Sequence, residues 1–238
     1  MIRLAAAPGA REAWDRSRFT VYLWAICELL FVTNPWQISS GLRVRVLRAF
    51  GAEIGTGVIM RPRVRVRFPW KLHIGDDCWV GEGVWFHNQD HIYLSHDCVV
   101  SQETLLTTGS HAHRRDMALI TRPIVLEPGV WITSRCIVLG GAHLGRSALA
   151  RPMTLVSGTV PANAVVAGPD GAVVGTRFPA DAPRGAAGQA DAGQTGPVPA
   201  AATRTDAAQP DAEQPDAGQP GIPRTDAAPA DAGQAAPR

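Results

Sequence analysis

An aliphatic side chain recurs at every sixth position through most of the chain's middle. It runs through Ile54, Met60 and Val66, then Ile74, Val80 and Phe86, then Leu94, Val100 and Leu106, and finally from Leu126 through Ile132, Val138, Leu144 and Ala150 to Val156. Val66 to Ile74 and Phe86 to Leu94 are steps of eight, so two extra residues enter at each of those breaks. Four places after each beat comes a small or β-branched residue: Val58, Val64, Cys78, Val84, Cys98, Thr104, Val130, Cys136, Ala142, Ala148, Thr154 and Val160. Trp70 and Asp90 break that rule, just before the two long steps. A period of six fits neither an α-helix nor a flat strand. It fits a triangular coil whose three sides take six residues each, with the beat residue inside and a small residue at the tight inner corner. Such coils stack at about 4.8 Å and bury each other's apolar rows. The expected fold is an all-β solenoid, a parallel β-helix of hexapeptide repeats. A sandwich of ordinary strands would need turn signals at wider spacing.

Upstream, Phe19 to Val32 is the most apolar segment of the chain, with Leu23, Ile26 and Leu30 on one stripe and Val21 and Trp24 on another. It predicts an amphipathic helix that caps the solenoid; a helix lying on a membrane surface is the alternative. Its fourteen residues and Glu28 make it too short to span a bilayer. A second helix is expected from about Ser39 to Phe50, with Leu42, Val46, Leu47 and Phe50 on one side, Arg43, Arg45 and Arg48 elsewhere, and Gly51 closing it. The start lacks the apolar run of a signal peptide. After Phe178 the composition turns to Ala, Asp, Pro, Gln, Gly and Thr, and Ile222 is the only Ile, Leu, Met or aromatic residue left. Such a stretch cannot bury enough apolar surface to offset its ordering entropy. The expected domains are therefore a helical cap (1–53), a β-helix (54–178) and a disordered tail (179–238).

Charge follows the same division. The tail carries 4 Arg against 8 acidic residues, leaving 19 basic against 13 acidic residues in the rest of the chain. A basic body suits an anionic ligand or membrane surface, or is an ordinary solvated surface. Arg61, Arg63, Arg65 and Arg67 alternate with Pro62, Val64 and Val66, which places all four guanidiniums on the outer face. They read as a contact for an anionic ligand or as a solvated edge. No nucleic-acid motif accompanies them. Of the four cysteines, Cys78, Cys98 and Cys136 fall on the small inner corner, and Cys27 lies in the first helix. With no CxxC or Cys/His cluster, they read as free thiols of a reducing, cytoplasmic protein, and no metal site is expected.

The beat fails between Leu106 and Leu126, where Thr107-Thr108-Gly109-Ser110-His111-Ala112-His113-Arg114-Arg115-Asp116 must leave the coil as a loop. Loops on a rigid scaffold carry function. A neutral imidazole can take a proton from a hydroxyl at physiological pH. Direct attack of that hydroxyl on a thioester then needs only this base and a donor for the oxyanion. On chemistry alone His111 and His113 are equal candidates.

Here the sequence resembles hexapeptide-repeat acyltransferases, most closely the colanic acid biosynthesis acetyltransferase family. The resemblance covers about Trp24 to Phe178 and rests on Leu47-Arg48-Ala49-Phe50-Gly51-Ala52-Glu53-Ile54-Gly55, Pro69-Trp70-Lys71-Leu72-His73-Ile74-Gly75-Asp76, Thr107-Thr108-Gly109-Ser110-His111, Val130-Trp131-Ile132 and Val165-Val166-Ala167-Gly168. It implies a left-handed parallel β-helix and a homotrimer with acetyl-CoA bound between adjacent subunits. It implies O-acetylation of a sugar hydroxyl in exopolysaccharide synthesis, with His111 as general base and the Ser134 backbone N–H on the oxyanion. It assigns Trp131, Ser134, Arg151 and Ser157 to the cofactor, and Asn88, His113 and Asp116 to the acceptor; Asn88 also reads as a turn residue. Some residues depart from the family pattern. Ala112 replaces the usual Asp after the histidine, with Asp116 the candidate substitute. Pro152 has no N–H for the pantetheine arm, Met153 replaces a glycine, and Gly158 replaces a lysine. Arg151 or Arg177 would have to meet the CoA phosphates. Two other readings follow. One is a non-catalytic scaffold subunit with a decayed CoA groove. The other is a γ-type zinc carbonic anhydrase using His91, His96 and His111 or His113.

Overall fold

The structure is a computed structural model; it describes Leu4 and residues 7–178. The tail expected to be disordered, 179–238, lies outside the described residues.

Residues from Glu53 to Ala167 wind into a solenoid with three parallel sheets. The first face stacks six strands, with Ile54, Ile74, Leu94, Leu126, Leu144 and Val160 in register. The second stacks Met60, Val80, Val100, Ile132, Ala150 and Val166. The third stacks Val66, Phe86, Leu106, Val138 and Val156. All fifteen beat residues are buried, none more than 8% exposed. Each full burial of such a side chain stabilises the fold by about 1.5–3 kcal/mol. The three corner cysteines are free and buried, their thiols pointing at backbone carbonyls.

One corner position was invisible to the hydrophobic pattern. The third residue after an inward one takes a left-handed conformation: Arg63, Asp77, Asp97, Glu103, Arg135, Ser147, Met153 and Asn163 have φ between 56 and 61°. Gly57, Gly83, Gly129 and Gly141 fill the same position without the roughly 1–2 kcal/mol that a Cβ costs there. Asn163 shows that Val160 belongs to the inward set. The sequence pattern placed Val160 at a corner, four residues after Val156; the structure pairs it with Leu144 on the first face, so that turn is two residues short. The beat then continues to Val166, and Ala164–Ala167 is closed by the antiparallel strand Ala172–Thr176.

Every irregularity falls on one edge, where the third face turns into the first. Phe68 to Lys71 and Asn88 to His91 take up the two long steps there, the segment after Leu106 leaves the coil there, and the short turn after Val156 lies there as well.

The N-terminal cap has α1 (Arg18–Cys27), continued by a π-helical turn (Glu28–Val32), and α2 (Ser40–Ala49). Ser17 caps α1 through the Thr20 N–H, and Ser39 caps α2 through the Leu42 N–H. Trp24 and Val32 pack on the first coil, and the Trp24 indole donates to the Val66 carbonyl. The Leu23–Ile26–Leu30 stripe faces outward, so α1 is apolar on two sides. Arg43, expected away from the apolar side of α2, is fully buried. Its guanidinium donates to the carbonyls of Val32 and Met60, stitching both helices to the coil. Lys71 is also buried and ties the N-terminal segment down through the Ala13 and Gln89 carbonyls and the Asp15 carboxylate, each at 2.7 Å.

Candidate active site

The segment expected to loop out is a β-hairpin. Gly109–His111 pairs antiparallel with Leu119–Thr121, with Ser110 opposite Ile120 and His111 opposite Leu119. Its base is tied to the solenoid: Thr108 N–H donates to His87 O, Arg122 N–H to Thr108 O, and Ile124 N–H to His91 O. Gly140 provides the seat beneath it. A Cβ on Gly140 would stand 2.7 Å from the Thr108 carbonyl oxygen and 3.0 Å from that of Arg122.

At the hairpin tip His111 Nδ1 lies 2.9 Å from the Met117 carbonyl oxygen. A carbonyl only accepts, so Nδ1 carries the proton, and neutral His111 presents an unprotonated Nε2. The exposed ring is thus held in the tautomer a general base needs. Met117 adopts a left-handed conformation at φ 60°, and its N–H closes the turn on Ala112 O. Asp116 accepts from the Ala118 N–H at 3.0 Å. Asp116 therefore shapes the turn that presents Met117, and the orienting acceptor for His111 is a backbone carbonyl. Ala112 is buried in that turn.

A second feature lies on the second face. A groove of about 890 Å³ is bordered by Trp79, Trp131, Ser134, Pro152, Arg61 and Arg177 among others. The Trp131 indole donates to Ser101 Oγ at 3.0 Å, and the Arg177 guanidinium sits 5.6 Å from the Trp131 ring while donating to Gly129 O. Ser134 occupies the corner between the second and third faces, its hydroxyl bonded to Gln102 Oε1 at 3.1 Å. Its backbone N–H has no partner among the described residues. A long groove with an aromatic wall, two arginines and a free N–H fits an extended anionic thioester. Pro152 lines the same groove and offers no N–H, and Met153 beside it is 73% exposed.

The expected site residues separate onto two edges of the chain. His111, His113, Asp116 and Ser157 lie on the third-to-first edge, and Trp131, Ser134 and Arg151 on the second face or its corner with the third. Within one chain His111 and Ser134 stand at opposite ends of the third face. His113 is exposed on the hairpin turn, and Arg151 and Ser157 are exposed at their corners. Asn88, expected on the acceptor or as a turn residue, is 0% exposed, and its Oδ1 accepts from Phe68 N–H at 3.0 Å while its Nδ2 donates to Phe68 O at 2.6 Å. Arg61 and Gln102 were not singled out for the groove; only the stacking of coils brings them beside Trp131 and Ser134.

The other histidines are used elsewhere. His73 bonds to Glu53 and to His91 Nδ1, each at 2.8 Å, and His96 pairs with Asp97. Burial and the neighbouring His73 push the His91 imidazole down from its ordinary value. No group of three His, Cys, Asp or Glu among the described residues could hold a metal ion. Of the four outward arginines, Arg65 lies 3.8 Å over the Trp85 ring and Arg63 pairs with Glu82.

Coils of this period, a hairpin histidine and an aromatic groove define the class of hexapeptide-repeat acetyltransferases. No family profile matches the chain. It is 34% identical over 155 residues, 65% of this chain and 85% of the other, to WcaF of Escherichia coli (strain K12), a protein named for colanic acid biosynthesis acetyltransferase activity. It is 21% identical over 166 residues, 68% of this chain and 78% of the other, to a galactoside O-acetyltransferase of Lactococcus lactis subsp. lactis (strain IL1403). Its fold resembles a hexapeptide-repeat acetyltransferase from Vibrio cholerae O1 biovar eltor, solved with acetyl coenzyme A, at TM-score 0.63 and 18% identity, covering 72% of this chain and 100% of that one. It also resembles a galactoside acetyltransferase solved with coenzyme A, at TM-score 0.59 and 17% identity, covering 71% and 83%. The chain belongs to the WcaF family of hexapeptide-repeat acetyltransferases, and its solenoid is the left-handed parallel β-helix.

Proposed function

We propose that the protein is an O-acetyltransferase that moves the acetyl group of acetyl-CoA directly to a sugar hydroxyl of an exopolysaccharide or a related glycan precursor. His111 Nε2 takes the proton of the acceptor hydroxyl, and the oxygen attacks the thioester carbonyl carbon. The tetrahedral oxyanion receives the Ser134 N–H. The C–S bond then breaks, the sulfur takes the proton from His111, and CoA leaves an acetyl ester behind. The observation that carries this reading is the His111–Met117 hydrogen bond, which fixes the reactive tautomer. Among the described residues the His113 ring has no such acceptor, and it is the lesser base.

The site is shared between copies. His111 and Ser134 of one chain stand on different edges, so a base and an oxyanion donor meet when the hairpin edge of one copy approaches the groove of the next. A closed ring of such contacts is a homotrimer, in which the exposed Trp79 and Trp131 side chains are covered. Transfer of label from acetyl-CoA to a glycan acceptor tests the reaction, and His111→Ala should lower turnover by about 10²–10⁴-fold. Unchanged turnover would remove His111 from the mechanism.

Pro152 in the groove and the exposed Met153 next to it in sequence favour one other reading, a scaffold subunit that no longer binds CoA. Calorimetry separates the two: measurable CoA affinity supports the enzyme, and none supports the scaffold.

A further inference from the structure

The outward side of α1 is the largest apolar feature the solenoid does not use. Phe19, Tyr22, Ile26 and Leu29 follow one another at helical spacing, and they are 75, 56, 57 and 66% exposed. In the connection that follows the helix, Trp36 and Ile38 are 88 and 86% exposed. Single exposed apolar residues are ordinary, but a contiguous row of this kind marks a binding surface. We propose that this face is a monotopic membrane anchor: α1 lies in the plane of an anionic bilayer, with its outer stripe among the acyl chains and its arginines among the headgroups.

Charge selects the occupant. Arg11, Arg16 and Arg18 are exposed just before the stripe, and Arg45 is exposed on α2. Among the acidic groups of the cap, Asp15 is taken by Lys71 and Glu28 by the Val66 N–H. Glu53, at the far end of the cap, is paired with His73. A second copy docked face to face would bring the like charges of the arginines together, whereas anionic headgroups neutralise them. The tail is also a poor cover, since Ile222 is its only Ile, Leu, Met or aromatic residue. No helix among the described residues is long and apolar enough to cross a membrane, so the helix lies flat. Tyr22 and Trp36 have the amphipathic rings that settle at the headgroup level.

Co-sedimentation of the full chain with vesicles of phosphatidylglycerol and phosphatidylethanolamine, compared with phosphatidylcholine alone, tests the anchor. Wild type should sediment with the anionic vesicles and be released by salt. Ile26→Asp should weaken vesicle affinity by about tenfold or more. Arg16→Glu/Arg18→Glu, at two exposed positions, should abolish the preference for anionic lipid while unfolding at the wild-type temperature. Equal binding by wild type and both variants overturns the proposal, as does failure of wild type to bind either vesicle. So does a smaller particle for Ile26→Asp in light scattering without lipid binding, which would assign the face to a second copy.

Discussion

Ser134→Pro removes one hydrogen-bond donor and little else. The position is the second after an inward residue, and the equivalent corners hold Pro62, Pro128 and Pro152. The next residue, Arg135, has φ 59°, which makes the corner resemble a type II turn, where proline is favoured at the preceding position. The Ser134 N–H bonds to nothing among the described residues, so no internal bond is lost there. The side chain gives up one exposed bond to Gln102, worth about 1 kcal/mol at most. The folded variant should therefore melt close to wild type. Its turnover is another matter. Losing one oxyanion donor costs about 2.7–4 kcal/mol of transition-state stabilisation, or roughly 10²–10³ in kcat. Ser134→Ala keeps the N–H and should stay near wild-type rate. Steady-state release of CoA, followed with a thiol reagent, reads both variants. A folded Ser134→Pro enzyme within about threefold of wild type would refute the oxyanion assignment.

Two other substitutions test structural assignments. Asn88→Ala leaves the Phe68 N–H without a partner in a buried turn and takes one of two donors from its carbonyl, which keeps the Lys71 N–H, a loss of about 1–3 kcal/mol that denaturant unfolding would measure; the acceptor KM of the folded fraction should stay at the wild-type value, and a raised KM would return Asn88 to the acceptor. Burial holds the Glu28 carboxyl above its ordinary range, against the lowering pull of the Val66 N–H and of Arg65 and Arg67. The folded chain thus binds that proton more tightly than the unfolded chain, and ionised Glu28 costs stability above its folded pKa. Glu28→Gln, which can still accept from Val66, should raise the melting temperature at neutral pH, and the gain should shrink as pH falls towards the ordinary carboxylate value of 4.5. A variant that melts lower at neutral pH would contradict this.

Much of the architecture could be read from the chain because a solenoid repeats one local rule. Each inward position is an independent instance of it, so Ile54 through Val156 could be identified one by one and all proved buried. The rule also exposed its own interruptions, which marked the hairpin and His111. What stayed hidden depends on contacts between coils. Val160 was misplaced because a shortened turn looks like a corner when only spacing is visible. Arg43 looked solvent-facing on the helical wheel, yet two backbone carbonyls across the cap bury it. Asn88 resembled an acceptor ligand by residue type, and only the neighbouring coil shows that Phe68 uses both ends of its amide. The tautomer of His111 likewise comes from a carbonyl six residues away, brought round by the hairpin turn.

The proposed two-chain site makes one demand that no single-copy site would meet. His111→Ala and Ser134→Pro, each strongly impaired alone, should regain acetyl transfer when co-expressed and purified as mixed oligomers, because in the proposed assembly the intact histidine of one copy faces the intact Ser134 amide of the next. A mixed preparation as inactive as either parent, with mixing confirmed by distinct affinity tags, would contradict an acetyltransferase site assembled from two chains.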